Sequence, residues 1–492
     1  MSNKFYITTT IPYANAAPHI GFTLEIVQAD VLARWNRLKE KEVFFLTGTD
    51  EHGTKNYQTA KKEKLSTQKF VDKNANSFEE LTKKFNISNN NFIRTTDKEK
   101  HWPGVIQIWN TLKKKGDIYK KEYTGNYCSG CERFITEKDL INKKCPNHPN
   151  LKIENISEEN YFFKLSKYSD KIKNLIKSGK LLIYPNTWKN DFLGLINKGL
   201  TDVSFSRDKK QLPWGIPVPE DKNQTLYVWC DALTNYLTGI GYPNKKYKKN
   251  WPADIHVVGK DMLRFHAGIW PGMLLSAGLP LPKSIIVHGF LTVNGKKMSK
   301  STGNVISPLE LVKKYSSDNI RYYLIKDFVF GEDGDFSEIK LKKALNNELA
   351  NDLGNLVSRT LTLCEKYFKG KIKKQKDDSL LKKLNFKKVD KYIEKFELHH
   401  ALEEIWKFVR ITNKYINDKE PWKIEKDRES VLYNLLESLR IISILIEPFI
   451  PETSEKINKQ IGIKLGNLKD IKFGLQKQYT VKRQGVLFDK IK

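Results

Sequence analysis

Lys4-Phe5-Tyr6-Ile7-Thr8-Thr9, then Thr10-Ile11-Pro12-Tyr13-Ala14-Asn15, then Pro18-His19-Ile20-Gly21-Phe22: the reading of this stretch decides the fold. A β-rich run ends in a Pro/Asn/Ala-rich turn, and a helix is expected to open near His19. A strand, turn and helix in that order present backbone N–H groups and an imidazole to an anion. Far downstream lies Lys297-Met298-Ser299-Lys300-Ser301, flanked by Gly295 and Gly303. Two lysines three apart in a Gly/Ser-rich loop supply mobile positive point charges, which a leaving pyrophosphate needs. Each motif alone is weak, since His-Ile-Gly occurs by chance in helices and a basic loop is often only solvated. Together they indicate activation chemistry driven by ATP.

Working outward, the first ~115 residues alternate short β-rich runs with helical periodicity, as in a parallel α/β sheet. Strands are expected at Lys4 to Thr9, Val43 to Thr47, Ile255 to Val258 and Ile285 to Val287. Each ends in polar or Gly-rich sequence: Thr10 to Tyr13, Gly48 to Gly53, Gly259-Lys260-Asp261 and His288-Gly289. Ligands of open parallel sheets bind at the carboxyl ends of strands, so these tips should converge on one pocket. The expected organisation is a Rossmann-type parallel-sheet α/β domain in two halves, 1–115 and 226–295, split by an irregular, Pro-containing insertion at 116–225. A linker over 296–345 carries the lysine loop. An α-helical bundle over 346–492 follows, with apolar residues at helical spacing through Leu349, Leu353, Leu356, Val357 and Leu361.

The chain has 492 residues, a formal net charge of +29 and a pI near 9.5. A length beyond one core implies several folding units, and the charge favours a polyanionic partner such as RNA. Part of the basic excess reflects Lys-rich composition throughout, as in Lys371 to Lys391. No apolar run approaches the roughly 20 residues needed to span a bilayer. The greasiest stretch, Leu432 to Phe449, carries Glu437, Arg440 and Glu447 and reads as a buried helix. With a first strand at about residue 4, no signal or transit peptide is expected and a cytoplasmic location follows.

The five cysteines do not form a disulfide framework. Cys128-x-x-Cys131 and Cys145-x-x-His148 form a four-ligand set on two knuckles, the spacing of a closed tetrahedral Zn²⁺ site with a structural role. Gly125, Gly130 and Pro146 stand where the turns need them. Cys230 and Cys364 lie in apolar contexts and read as core residues.

The two motifs, in this order and at this separation, resemble the signatures of class I aminoacyl-tRNA synthetases. Further segments make the chain similar to the methionyl-tRNA synthetase family over essentially its whole length. Thr10 to Asn15 looks like that family's first loop, with Ile11 and Tyr13 flanking the amino acid. Gly48 to Gly53 matches the strand end whose aspartate, here Asp50, binds the substrate ammonium. Tyr227 to Ala232 with Leu233 and Tyr236, and Gly259 to Asp261 with His266 and Trp270, are similar to the side-chain pocket and ribose-binding segments. The chemistry fits: an apolar, polarizable thioether suits an aromatic and aliphatic wall with one or two weak donors. The resemblance thus implies methionine contacts at Ile11, Tyr13, Asp50, Trp229, Ala232, Leu233, Tyr236, His266 and Trp270. It implies ATP contacts at His19, Gly21, Gly259, Asp261, Lys297 and Lys300, with His19, Lys297 and Lys300 stabilising charge. In one departure, the family's first signature usually ends in a second histidine, and here Phe22 stands there; it cannot donate to phosphate and is expected to pack beneath the site.

The implied activity is a two-step methionine–tRNA ligation using Mg²⁺·ATP, methionine and tRNA(Met), initiator and elongator. Asn351 to Arg359 resembles the anticodon helix, with Asn355 and Arg359 one turn apart. Pro421-Trp422 resembles its stacking partner, since single-stranded loops are read by aromatic stacking and edge hydrogen bonds. A cysteinyl enzyme or a small-molecule nucleotidylyltransferase remains the alternative. The end at Lys492 suggests a monomer.

Overall fold

The computed structural model describes residues 3–130, 133–135, 137–293, 295–298 and 303–491. Cys131 and Lys300 lie outside the described residues, and for Lys297 only the backbone is described. Six strands form a parallel sheet: β1 (Lys4–Thr8), β2 (Glu42–Thr49), β3 (Asn91–Arg94), β4 (Leu182–Tyr184), β5 (Ile255–Gly259) and β6 (Ser284–His288), in the order β3-β2-β1-β5-β6-β4. The four strands expected from the sequence are the four central ones. All five residues of β5 and of β6 are buried, as both faces of a parallel sheet covered by helices require. The strand order reverses between β1 and β5, so the crevice at their carboxyl ends is the topological switch point.

The helix Ile20–Leu38 returns from the β1 tip. His19 caps it, Nδ1 accepting from the Gly21 N–H, and most of its length is buried against the sheet and the later helices. The insertion is more regular than its sequence suggested. Ile118–Cys128 pairs antiparallel with Glu154–Phe163 in unbroken register from Ile118–Phe163 to Tyr127–Glu154, flanked by Arg133–Ile135 and Val203–Ser204. From the same segment Leu182–Tyr184 leaves to become the edge strand of the main sheet.

The carboxyl-terminal part is a helical bundle built on Asn355–Phe368, Phe386–Glu394, Leu398–Lys419, Arg428–Ile446 and Pro451–Ile461. Positions 431–446 are buried on every side, matching the sequence reading of that stretch as a core helix. Its charges are paired: Arg440 Nη2 lies 2.9 Å from Glu437 Oε2, and Glu437 also accepts from the Gly474 N–H (2.9 Å) and Tyr479 Oη (2.5 Å). A short strand pair, Lys371–Lys373 with Gln478–Thr480, closes the bundle.

The bundle and the sheet share one apolar core. Between them the fully buried Arg321 donates to the carbonyls of Phe85 (3.1 Å), Pro448 (2.7 Å) and Phe449 (2.9 Å) and lies 2.8 Å from the buried carboxylate of Asp30. A guanidinium with each of its three nitrogens engaged tolerates this burial, and it fixes the bundle against the first helix. Among the described residues, no helix is long and apolar enough to cross a membrane.

Candidate active site, metal knuckle and helical-domain surface

At the switch point, the tips of β1 and β6 are tied through one carboxylate. Glu25 Oε1 accepts from the backbone N–H and the hydroxyl of Thr10, both at 2.6 Å, and its Oε2 lies 2.8 Å from His288 Nε2. His288 Nδ1 is 2.8 Å from the Gly289 carbonyl, so both ring nitrogens face acceptors. Burial opposes the charge, yet these acceptors, chiefly Glu25, hold the His288 pKa above the ordinary imidazole value. Asp261 belongs to the same constellation: a Cβ added at Gly259 would lie 2.9 Å from Asp261 Oδ1 and 3.5 Å from His288 Nε2. The backbone at Gly259 thus lies close to both side chains.

His19 stands beside this cluster. Desolvation, then the neighbouring His288, lowers its pKa. With Nδ1 accepting from the Gly21 N–H at 3.1 Å, the neutral ring carries its proton on Nε2, a donor available to a ligand. A side chain at Gly21 would collide with the His19 ring, its Cβ falling 2.9 Å from Cε1 and 3.7 Å from Met298 Cε. The His-Ile-Gly turn and the lysine segment thus meet in space. A hydrogen bond from the Ile20 N–H to the Ile306 carbonyl, 3.1 Å, joins the same two segments. Phe22 is buried and meets Phe78 edge to face at 5.3 Å, so it packs beneath the site as expected.

The residues of the expected amino-acid pocket gather around the ends of β1 and β2 and the buried His256 of β5. The loop carrying Tyr13 runs beside the end of β2: the Asp50 N–H donates to the Pro12 carbonyl (2.9 Å) and the Ala14 N–H to the Asp50 carbonyl (2.8 Å). Ile11, Tyr13, Trp229 and Ala232 share one apolar cluster with Tyr227 and Val228. Tyr236 Oη donates to His266 Nε2 at 2.6 Å, while His266 Nδ1 donates to the Met262 carbonyl at 2.9 Å. Burial pushes the His266 pKa down to about 4 and that of Tyr236 up, so a neutral imidazole and a neutral phenol line this wall at pH 7. Leu233 is buried in the sheet-side core. Trp270 is fully buried, its ring 5.9 Å from both Tyr236 and Trp251.

Two contributors escaped the sequence reading. Phe265 stacks on Trp229 with centroids 3.5 Å apart and completes the aromatic wall; its place beside His266 was the available signal. Asp231, between Trp229 and Ala232, is fully buried and accepts from His52 Nδ1 (2.6 Å) and His101 Nε2 (2.7 Å). Burial alone would raise its pKa, but the two histidines hold it down to about 2. This braces the short helix Val228–Ala232 against the Asp50-Glu51-His52 segment.

In the insertion, Cys128 Sγ and Cys145 Sγ lie 3.9 and 4.0 Å from His148 Nδ1, and the three ligand atoms fall within 4.8 Å of one another. A tetrahedral zinc with one thiolate and one imidazole separates S and N by about 3.6 Å. The donor set therefore fits a metal with small adjustment. A Cβ on Gly130 would come within 2.5 Å of the His148 ring, so glycine there makes room for the ligand. Cys230 and Cys364 are buried with thiol pKa values pushed up by desolvation, as core residues should be.

On the bundle, Arg359 lies 5.8 Å from the Trp422 ring centroid and donates to Asn417 Oδ1 at 2.7 Å. Trp422 is 39 % exposed, which separates it from a core tryptophan such as Trp406 at 2 %. Asn355, one turn before Arg359, is exposed.

Comparison with known proteins accords with this arrangement. The family model "tRNA synthetases class I (M)" matches residues 5–155 and 149–361, and that of the anticodon-binding domain of tRNA ligase matches 377–481. The chain belongs to the methionyl-tRNA synthetase family. It is 45 % identical to a methionine–tRNA ligase of Caldanaerobacter subterraneus, covering 100 % of this chain and 79 % of that protein. Identity to a Bacillus subtilis methionine–tRNA ligase is 40 %, covering 100 % and 78 %. A Mycobacterium tuberculosis methionyl-tRNA synthetase in complex with methionyl-adenylate superposes with a TM-score of 0.94 at 35 % identity, covering 99 % of this chain and 100 % of that one. The apo form of the mycobacterial enzyme gives 0.87 at 32 % identity, covering 100 % and 99 %.

The depressed pKa of His266 fixes a pH dependence. An unfolded histidine takes up its proton near 6.5, whereas folded His266 does so only near 4, so its share of stability is full above pH 6.5 and lost as pH falls toward 4. The span corresponds to roughly 3 kcal/mol. Thermal midpoints measured between pH 4 and 7 should fall more steeply for the unaltered chain than for His266→Gln; parallel curves would mean that His266 already titrates normally in the fold.

Proposed function

We propose that this pocket carries out both half-reactions of a methionine–tRNA ligase. The observation that carries the reading is the meeting of the His19 turn with the Met298 segment at the switch point of a parallel sheet, next to an aromatic pocket closed by Tyr236 and His266. Methionine's carboxylate oxygen attacks the α-phosphorus of Mg²⁺·ATP in line, and pyrophosphate leaves. The 2′-hydroxyl of the tRNA's terminal adenosine then attacks the adenylate carbonyl, releasing AMP. Positioning and electrostatics carry such chemistry, so no covalent protein intermediate is needed.

In this reading Asp50 holds the substrate ammonium, and Ile11, Tyr13, Trp229, Ala232 and the Tyr236–His266 pair enclose the thioether, with Leu233 and Trp270 supporting the wall. A neutral His266 suits an uncharged sulfur, since no buried charge is then left without a counter-charge once methionine fills the pocket. Gly21 and Gly259 admit the nucleotide close to the backbone, and Asp261 takes the ribose. The His19 Nε2–H, Lys297 and Lys300 take the charge that moves onto pyrophosphate. Replacing Lys297 by Ala should slow adenylate formation about 10²- to 10³-fold, the scale of one lost transition-state contact.

Asn355, Arg359 and Trp422 form the anticodon surface for tRNA(Met), and the protein acts in the cytoplasm. The exposed indole with a guanidinium over it supports the reading, since loss of such a stacking platform costs roughly 1–3 kcal/mol per base. Trp422→Ala should therefore lower aminoacylation about 10- to 100-fold and leave methionine-dependent ATP–pyrophosphate exchange near normal. Equal losses in both reactions would assign Trp422 to folding instead.

Cys128, Cys131, Cys145 and His148 would hold one Zn²⁺, which cross-links the knuckles and supplies folding energy to the insertion. Cys128→Ala should lower zinc content and loosen the insertion while methionine affinity stays the same. Full zinc stoichiometry in that variant, by plasma emission analysis, would contradict this ligand set.

A further inference from the structure

We propose that Asp335, outside both signature motifs, positions the backbone that carries Lys297 for adenylate formation; this rests on the reading of the nucleotide site given above. The strand Gly334–Phe336 pairs in parallel with Leu291–Val293, placing Asp335 opposite Thr292. On its other side Leu291–Val293 pairs antiparallel with Lys296–Lys297, placing Thr292 opposite Lys297. One lateral row of the small sheet is therefore Asp335, Thr292, Lys297.

The row is held by one oxygen. Asp335 Oδ1 accepts from the Thr292 hydroxyl at 2.7 Å and from the Gly295 N–H at 2.8 Å. Gly295 has a φ of 71°, a left-handed turn residue leading into Lys296 and Lys297. A single carboxylate thus fixes the residue paired with Lys297 and the turn that delivers it. These two hydrogen bonds lower the Asp335 pKa, Gly295 first, so the acceptor persists across neutral pH.

The same segment is anchored to the nucleotide loop. Asp333 accepts from Lys260 Nζ at 2.7 and 2.6 Å and from the Phe290 N–H at 2.8 Å. Lys260 lies between Gly259 and Asp261. A Cβ on Gly289 would lie 1.9 Å from the Glu332 carbonyl oxygen, so the Gly331–Phe336 segment sits hard against the end of β6. The strand that carries Asp335 is thus held against the end of β6 and the Gly259–Asp261 loop, and Asp335 links it to the Lys297 turn. A lysine acting on a departing pyrophosphate contributes most when its position is set before the charge develops.

The test compares Asp335→Ala with Asp335→Asn in the full chain. Asparagine keeps an acceptor oxygen for Thr292 and Gly295; alanine does not. In ATP–pyrophosphate exchange the alanine variant should lose roughly 10- to 100-fold in kcat, the scale of losing an acceptor shared by two donors, with KM for methionine unchanged and the asparagine variant close to the unaltered protein. Transfer of methionine to tRNA from preformed, isolated enzyme-bound adenylate should proceed normally in both variants, because pyrophosphate has already left. An alanine variant with unchanged exchange, an asparagine variant as damaged as alanine, or an equal loss in the transfer step would overturn the proposal. Absence of exchange in the unaltered chain would instead sink the underlying reading of the site.

Discussion

Parallel pairing of β1 with β5 is the constraint on which the rest depends. Thr8 Oγ1 meets His256 Nδ1 at 2.7 Å across 248 residues of sequence, and the register Ile7–Ile255, Thr8–His256 sets the two halves side by side. Once that register holds, the Thr10–Asn15 loop and Gly259–Asp261 must leave the sheet next to each other. Glu25 then reads whether the tips are in place: it bonds Thr10 after β1 and His288 at the end of β6 simultaneously. A slip of one residue in β5 would turn the side chain of His256 to the other face of the sheet and remove the Thr8 contact.

The crevice is divided electrically. On the nucleotide side, His288 is biased toward its charged form by Glu25. On the amino-acid side, His256 and His266 are driven neutral by burial, so that wall offers dipoles and aromatic surface without net charge. Anion and thioether therefore meet environments of opposite character within one pocket. Asp231 lies behind the apolar side, its charge satisfied by His52 and His101 and kept away from the substrate.

Much of this was legible in the sequence because it is local. Strand tips, the His-Ile-Gly turn and the Cys-x-x-His knuckle are short patterns whose chemistry follows from spacing. What escaped depends on partners distant in the chain. The edge strands β3 and β4 are short and are defined by the neighbours they pair with, and the regular hairpin Ile118–Cys128 with Glu154–Phe163 is polar enough to look like loop. Asp231 and Asp335 read as ordinary acidic residues until the fold supplies His52 and His101 to one and Thr292 and Gly295 to the other. Phe22 was legible as a departure from pattern, and its packing on Phe78 accounts for the residue without giving it a ligand.

Halves far apart in sequence assemble a single pocket that couples a thioether amino acid to ATP. ATP–pyrophosphate exchange, run with each of the standard amino acids in turn, tests it most directly. Methionine alone should support strong exchange, and cysteine should give none above background. Exchange driven by cysteine, or by no amino acid at all, would contradict the account.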